Sequence, residues 1–189
     1  MSEESRSLFH QLTRQAMAAK QSGRRDVAAD LFQQAVRICP EETPVDLAHK
    51  AFASYLAGLS YYMDSGIDGC ESESRMTSVQ SLSWKKVRQL WLGCLRLSGR
   101  LTREDLKQFE RMPGGAKLSQ AIYSTVTDPL MANCLTPELT ESLLLIDEMT
   151  LIAALEDAAP GVRRNVYRQL AGVVGLPMSL RAMSMKYSG

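Results

Sequence analysis

The stretch SLFHQLTRQAMAAKQSGRRDVAADLFQQAVRICP, residues 7–40, decides the fold. Leu8, Leu12, Ala16 and Ala19 recur at helical spacing and predict a helix over 7–21. Ser22-Gly23 ends it, because glycine enters the left-handed conformation that closes helices without steric cost. A second helix is predicted over 25–38, with Ala28, Leu31, Phe32 and Ala35 inward. Pro40 stops it, since proline has no N–H to donate and its ring obstructs the preceding turn. Two short helices with small residues where they cross make an antiparallel hairpin.

Working outward, Thr43-Pro44 is a cap residue followed by proline at the first helical position, and predicts a helix over 44–64. Leu47, Ala51, Tyr55, Leu59 and Tyr62 form one stripe, which Ala48, Phe52 and Leu56 widen. So broad an apolar arc predicts packing on two sides. The stretch SGIDGCESESRMTS, 65–78, breaks every period and reads as an exposed linker, the best domain boundary. A helix over 84–97 follows, capped by Ser83 and closed by Gly99, with Val87, Leu90, Trp91, Cys94 and Leu95 inward. Thr102 and Asp105 form a reciprocal cap for the next helix, which Pro113-Gly114-Gly115 ends. Helices over 116–126, 129–134 and 138–146 come next, then one capped by Asp147 that ends near Ala158. Pro160 opens a last strong helix to about Val174, and a frayed segment follows Pro177. No alternation persists over a strand length. The expectation is an all-α fold of stacked antiparallel helical hairpins, α-solenoid-like, with about 8–10 helices. Its division is 1–64, linker 65–78, and a C-terminal helical domain over 79–189.

Composition narrows the function classes. The formal net charge is +1, which argues against a generic polyanion binder. The charge is uneven, with balances of −4 over 1–74, +7 over 75–120 and −2 over 121–189. Cys39, Cys70, Cys94 and Cys134 include no CxxC pair, and His10 and His49 lie far from them in sequence. No zinc motif or disulfide framework is implied, so reduced thiols in a cytoplasmic protein are expected. Neither an export signal nor an apolar run of spanning length is present, so no membrane insertion is expected.

Ala16, Ala19, Ala28, Phe32, Ala35 and Pro40 resemble the pattern of a tetratricopeptide repeat, a helical hairpin of about 34 residues. The first large aromatic of that pattern is missing, and the partner expected for the helix from Pro44 is replaced by the linker. A three-helix bundle of the microtubule-interacting-and-transport type uses a similar alanine pattern. The resemblance implies a peptide- or helix-binding surface lined by the first and third helices.

Near the other end, TPELTESLLLIDEMTLIAALEDAAPGVRRNVYRQL, residues 136–170, resembles part of the C-terminal region of the flagellar motor-switch protein FliG. Leu139, Leu143, Ile146, Asp147, Leu151, Ala154, Leu155, Ala158, Val162, Arg163, Val166 and Leu170 carry the resemblance. That family continues with a charged helix that meets the stator. Here the continuation, AGVVGLPMSLRAMSMKYSG, is apolar and carries only Arg181 and Lys186.

No catalytic constellation is apparent, and neither a cofactor nor a metal is implied. The pairs Glu41-Glu42 and Asp147-Glu148 sit at helix starts, where negative charge suits the macrodipole. Candidate partner-binding residues are Gln11, Arg14 and Gln15 with His49, Phe52 and Tyr55. Lys85, Lys86, Arg88, Arg96, Arg100 and Arg103 form a basic segment suited to an anion or an acidic partner. Trp84 and Trp91, seven residues apart, read as core. Met178, Met183 and Met185 read as exposed partner contacts. The expected function is a non-enzymatic adaptor, chaperone or assembly factor that binds another protein. The alternatives are a component related to the flagellar switch or a secretion apparatus, and a nucleic-acid-binding regulator using 85–103. A second copy of the chain is a further candidate partner.

Overall fold

Gly23, at φ +76°, turns the chain out of α1 (Glu3–Gln21) and into α2 (Arg25–Ile38). In the computed structural model of the chain, residues 3–70 and 72–189 are described. The described residues form eleven α-helices and two 3-10 turns, with no strand. The two turns are Glu73–Arg75 and Glu141–Leu145. They form two compact units, Met1–Arg100 and Leu101–Gly189.

The first unit continues with α3 (Pro44–Asp64) and α4 (Ser78–Ser98). Thr43 and Asp46 cap α3 reciprocally, with both hydrogen bonds at 3.1 Å and proline at the first helical position. Contacts run from α1 to α2, α2 to α3 and α3 to α4, so α3 is covered on both sides as its broad apolar arc predicts. One cluster joins Ala16 and Ala19 of α1, Ala28 and Phe32 of α2, and Leu56 and Ala57 of α3. The alanines let the helix backbones approach, and Phe32 fills the space beside them. A second cluster joins Phe9, Ala35, Cys39 and Ala53.

Several boundaries differ from expectation, each for a local reason. The buried stripe of α1 begins with Phe9, whereas Leu8 is exposed; burying Phe9 places the larger apolar surface against α2 and α3. The fourth helix starts at Ser78, six residues before the expected start, because Thr77 and Gln80 form a reciprocal cap at 3.2 and 3.0 Å. Ser83 therefore lies inside α4. The partner of α3 is α4, reached through residues 65–77. That connection is tied down: Ile67 is buried, Gln80 Nε2 donates to the carbonyls of Ser65 and Gly66, and Trp84 Nε1 donates to Glu73 at 2.8 Å. The units divide after Arg100, so 65–78 lies within the first unit.

The second unit holds α5 (Arg103–Arg111), α6 (Leu118–Thr127), α7 (Pro129–Ala132), α8 (Pro137–Thr140), α9 (Glu148–Asp157), α10 (Pro160–Leu170) and α11 (Met178–Ser188). Thr102 and Asp105 cap α5 as predicted. The helix expected over 138–146 is instead the single turn α8 and the second 3-10 turn, with the Thr140 hydroxyl bonded back to the Pro137 carbonyl at 2.8 Å. The helix from Pro160 ends at Leu170, and Gly175 at φ +74° reverses the chain into α11. The tail is thus a helix, not a frayed segment. Leu180 and Tyr187 hold it: Leu180 is buried, and the Tyr187 ring stacks on Tyr167 of α10 with centroids 5.1 Å apart. The eleventh helix is therefore α11, in the tail where none was expected, and each of the other ten falls on a helix expected from the sequence.

Candidate functional site

In the first unit, α1 and α3 approach each other at their N-terminal halves. Arg6 of α1 donates through Nε and Nη2 to the two carboxylate oxygens of Asp46, at 3.2 and 3.0 Å. Its Nη2 also lies 3.5 Å from Glu42. One turn on, the His10 and His49 rings sit edge to face with centroids 5.3 Å apart, and Phe9 packs edge-on against both. The hydrogen bond from Arg6, followed by the bond from Thr43, holds the Asp46 carboxyl below its ordinary range against the opposing effect of burial. Burial pushes the His49 pKa down, and the facing His10 adds to that.

Gln11, Arg14 and Gln15 all point outward from α1. Arg14 turns its Nε back to the His10 carbonyl at 3.3 Å. His49, Phe52 and Tyr55 on α3 are half-buried. Phe52 and Tyr55 spend part of their surface on the alanine cluster, and Tyr55 stacks on Trp91 with centroids 6.3 Å apart. Of these six residues only Gln11 lines the open depression of about 420 Å³ on α1, together with Glu3, Glu4, Ser7 and Leu8. Leu8, expected inside, is exposed at this depression, and Phe9 is buried in its place.

The basic segment is largely engaged within the chain. Lys86 lies over the Tyr61 ring at 5.1 Å, Arg88 stands 4.0 Å from Glu73, and Arg100 pairs with Glu41. Arg103 belongs to the second unit and donates to the Leu144 carbonyl at 2.7 Å. Lys85 and Arg96 are exposed on α4 and take part in no ion pair among the described residues. Glu41 and Glu42 are likewise more than helix-start charges. Glu41 joins Lys50, at 2.9 Å, to Arg100, and those two hydrogen bonds hold its carboxyl below the ordinary range. Trp84 and Trp91 are both buried. Met178 and Met185 are exposed, whereas Met183 is half-buried on the inner side of α11.

The four cysteines are free thiols: Cys39 and Cys94 are buried, and Cys70 and Cys134 are half-exposed. Burial pushes both buried thiols up to about 12. Among the described residues no three His, Cys, Asp or Glu side chains gather as metal ligands, and no helix is long and apolar enough to cross a membrane.

In the second unit, Asp147 caps α9 by accepting from the Thr150 N–H at 3.1 Å. Of the apolar positions expected inside over 136–170, Leu143, Ile146, Leu151, Leu155, Val162, Val166 and Leu170 are buried, whereas Leu139, Ala154 and Ala158 are half-buried. A recess of about 120 Å³ opens between α6 and α9, with Tyr123, Ile146, Leu151 and Ala154 as apolar lining and Ser119, Gln120 and Thr150 as polar lining. No family model matches the chain, and neither a curated protein nor a solved structure is found to match it.

Proposed function

We propose that the chain is a non-enzymatic interaction module, an adaptor, chaperone or assembly factor, which binds a protein partner through the outer surface of stacked helical hairpins. The observation that carries this is the order α1–α2, then α3–α4, crossing on Ala16, Ala19, Ala28 and Ala57. It supports a tetratricopeptide-like reading, in which successive first helices lie side by side and line one binding face. The Arg6–Asp46 and His10–His49 contacts between α1 and α3 fit that arrangement. Gln11, Arg14 and Gln15 then supply polar contacts, and the exposed edges of His49, Phe52 and Tyr55 supply apolar ones. Affinity capture from the native cell, read by mass spectrometry, tests this. A stoichiometric protein partner is expected. Absence of any partner, together with robust turnover of a small molecule, contradicts it.

A second reading is a structural or regulatory component related to the flagellar switch or a secretion apparatus. The Asp147 cap and the buried stripe from Leu143 to Leu170 favour it. Loss of motility or secretion on deleting the gene supports this reading; normal motility and secretion count against it.

A further inference from the structure

The most exposed apolar side chains of the second unit are in α11 and the turn before it. Val174 is 90% exposed, Met178 86% and Met185 73%. Positions 178, 182 and 185 follow helical spacing, so the two methionines and the exposed Ala182 share the outer face of α11, and Val174 lies in the turn before it. The inner face is committed to packing: Leu180 and Ser184 are buried, and Tyr187 stacks on Tyr167. Arg163 pairs with Glu156 at 3.2 Å and lies over the Tyr187 ring, which further anchors the helix. The outer face therefore has a fixed orientation.

The run it belongs to is basic. Residues 158–189 contain Arg163, Arg164, Arg168, Arg181 and Lys186 and not one Asp or Glu. Arg181 and Lys186 flank the two exposed methionines on α11 and stay exposed although Arg181 donates to the Leu176 carbonyl at 3.5 Å and Lys186 lies over the Tyr187 ring at 5.1 Å; Arg164 and Arg168 are exposed on the adjoining α10, Arg168 donating to Asn165 at 2.8 Å. Glu156 is occupied by Arg163 and by the Tyr187 hydroxyl, at 3.2 and 3.3 Å from its two oxygens.

We propose that α11 and the turn before it form a docking surface for an anionic lipid bilayer, on which the helix lies in the headgroup plane without spanning. Two observations choose lipid over a protein partner. The apolar side chains stand proud of the surface, a shape that enters a soft acyl boundary, and neither recess described above includes any of them. The run free of acids carries five cations, which suits a continuous anionic surface. Val174, Met178 and Met185 enter the interface, while Arg181 and Lys186 extend toward lipid phosphates along their apolar stems.

The test is co-sedimentation of the full chain with vesicles of phosphatidylcholine alone and of phosphatidylcholine carrying about 30% phosphatidylserine. Binding to the anionic vesicles is expected, together with little to the neutral ones and marked weakening in about 0.5 M salt. The double variant Arg181→Gln/Lys186→Gln should bind about 30-fold more weakly. Met178→Ser/Met185→Ser should lose about tenfold or more, with an unchanged far-ultraviolet circular dichroism spectrum, since both side chains are exposed. No binding, equal binding to both vesicle types, or wild-type affinity in both variants overturns the proposal. So does lipid-free self-association that the methionine variant abolishes, which assigns the face to a second copy instead.

Discussion

The indole of Trp91 lies directly on the backbone of Gly58. A Cβ built at Gly58 would stand 2.5 Å from both Cδ1 and Nε1 of that ring. Trp91 Nε1 donates to the Tyr55 carbonyl at 3.2 Å, and its ring packs against Tyr55, Tyr62 and Trp84. The contact sets how closely α3 and α4 approach, and so holds the second hairpin of the first unit together.

Gly58→Ala should therefore destabilise the fold even though alanine favours helices. The ring is fixed on several sides, so the added methyl forces α3 and α4 apart, and overpacking of this kind costs about 1–3 kcal/mol. Urea unfolding followed by tryptophan fluorescence measures it. Wild-type stability in the variant shows that the indole has room to shift.

Asp46 links the α3 cap to α1. Its folded pKa is depressed, chiefly by Arg6, so its contribution is present above the unfolded value of about 3.9 and is lost as pH falls through the folded value. Asp46→Ala should cost about 1 kcal/mol at neutral pH from the cap alone. The gap between variant and wild type should narrow below about pH 4 in urea titrations. A gap independent of pH removes the ionic explanation.

His49 acts in the same direction at higher pH. Burial and then His10 depress its folded pKa, so below about 6.5 the unfolded chain takes up a proton that the folded chain resists. Stability should fall as pH drops from about 7.5 to about 5.5, and His49→Gln should flatten that slope. Thermal melts across the range, with parallel slopes for both proteins, would contradict this account.

Thiol accessibility separates the cysteines. Cys39 and Cys94 are buried with thiols raised to about 12, while Cys70 and Cys134 are half-exposed. A disulfide-exchange reagent at mildly alkaline pH should label two thiols quickly in the native chain and all four in denaturant. Rapid labelling of four in the native state contradicts the packing of α2 and α4.

The sequence was most legible where one residue type has one physical use. Gly23, the Thr43-Pro44 start, the Thr102–Asp105 cap and the Asp147 cap all stand where their chemistry places them. Helical spacing identified the crossing alanines and the doubly covered α3, because burial repeats with the helix period. It failed where tertiary contacts decide among local options. Phe9 displaced Leu8 from the core, and the Thr77–Gln80 cap lay hidden in a serine-rich stretch. The six candidate cations look alike in sequence. Four of them are engaged by Tyr61, Glu73, Glu41 and the Leu144 carbonyl, which lie 15 to 59 positions away and which no local pattern shows. The proposed binding face was legible only as positions on α1 and α3. The share of Phe52 and Tyr55 spent on packing depends on tertiary contacts with the alanine cluster and Trp91.

The binding face itself is tested most directly by placing a photo-crosslinking residue at Gln15 and, as a control, at Arg111, each in the full chain expressed in its native cell. The account predicts one covalent protein adduct from position 15, absent from position 111 and lost when Arg14→Glu is added. Identical adducts from both positions, or none from position 15 while affinity capture still recovers a partner, contradicts the assignment of the α1–α3 surface.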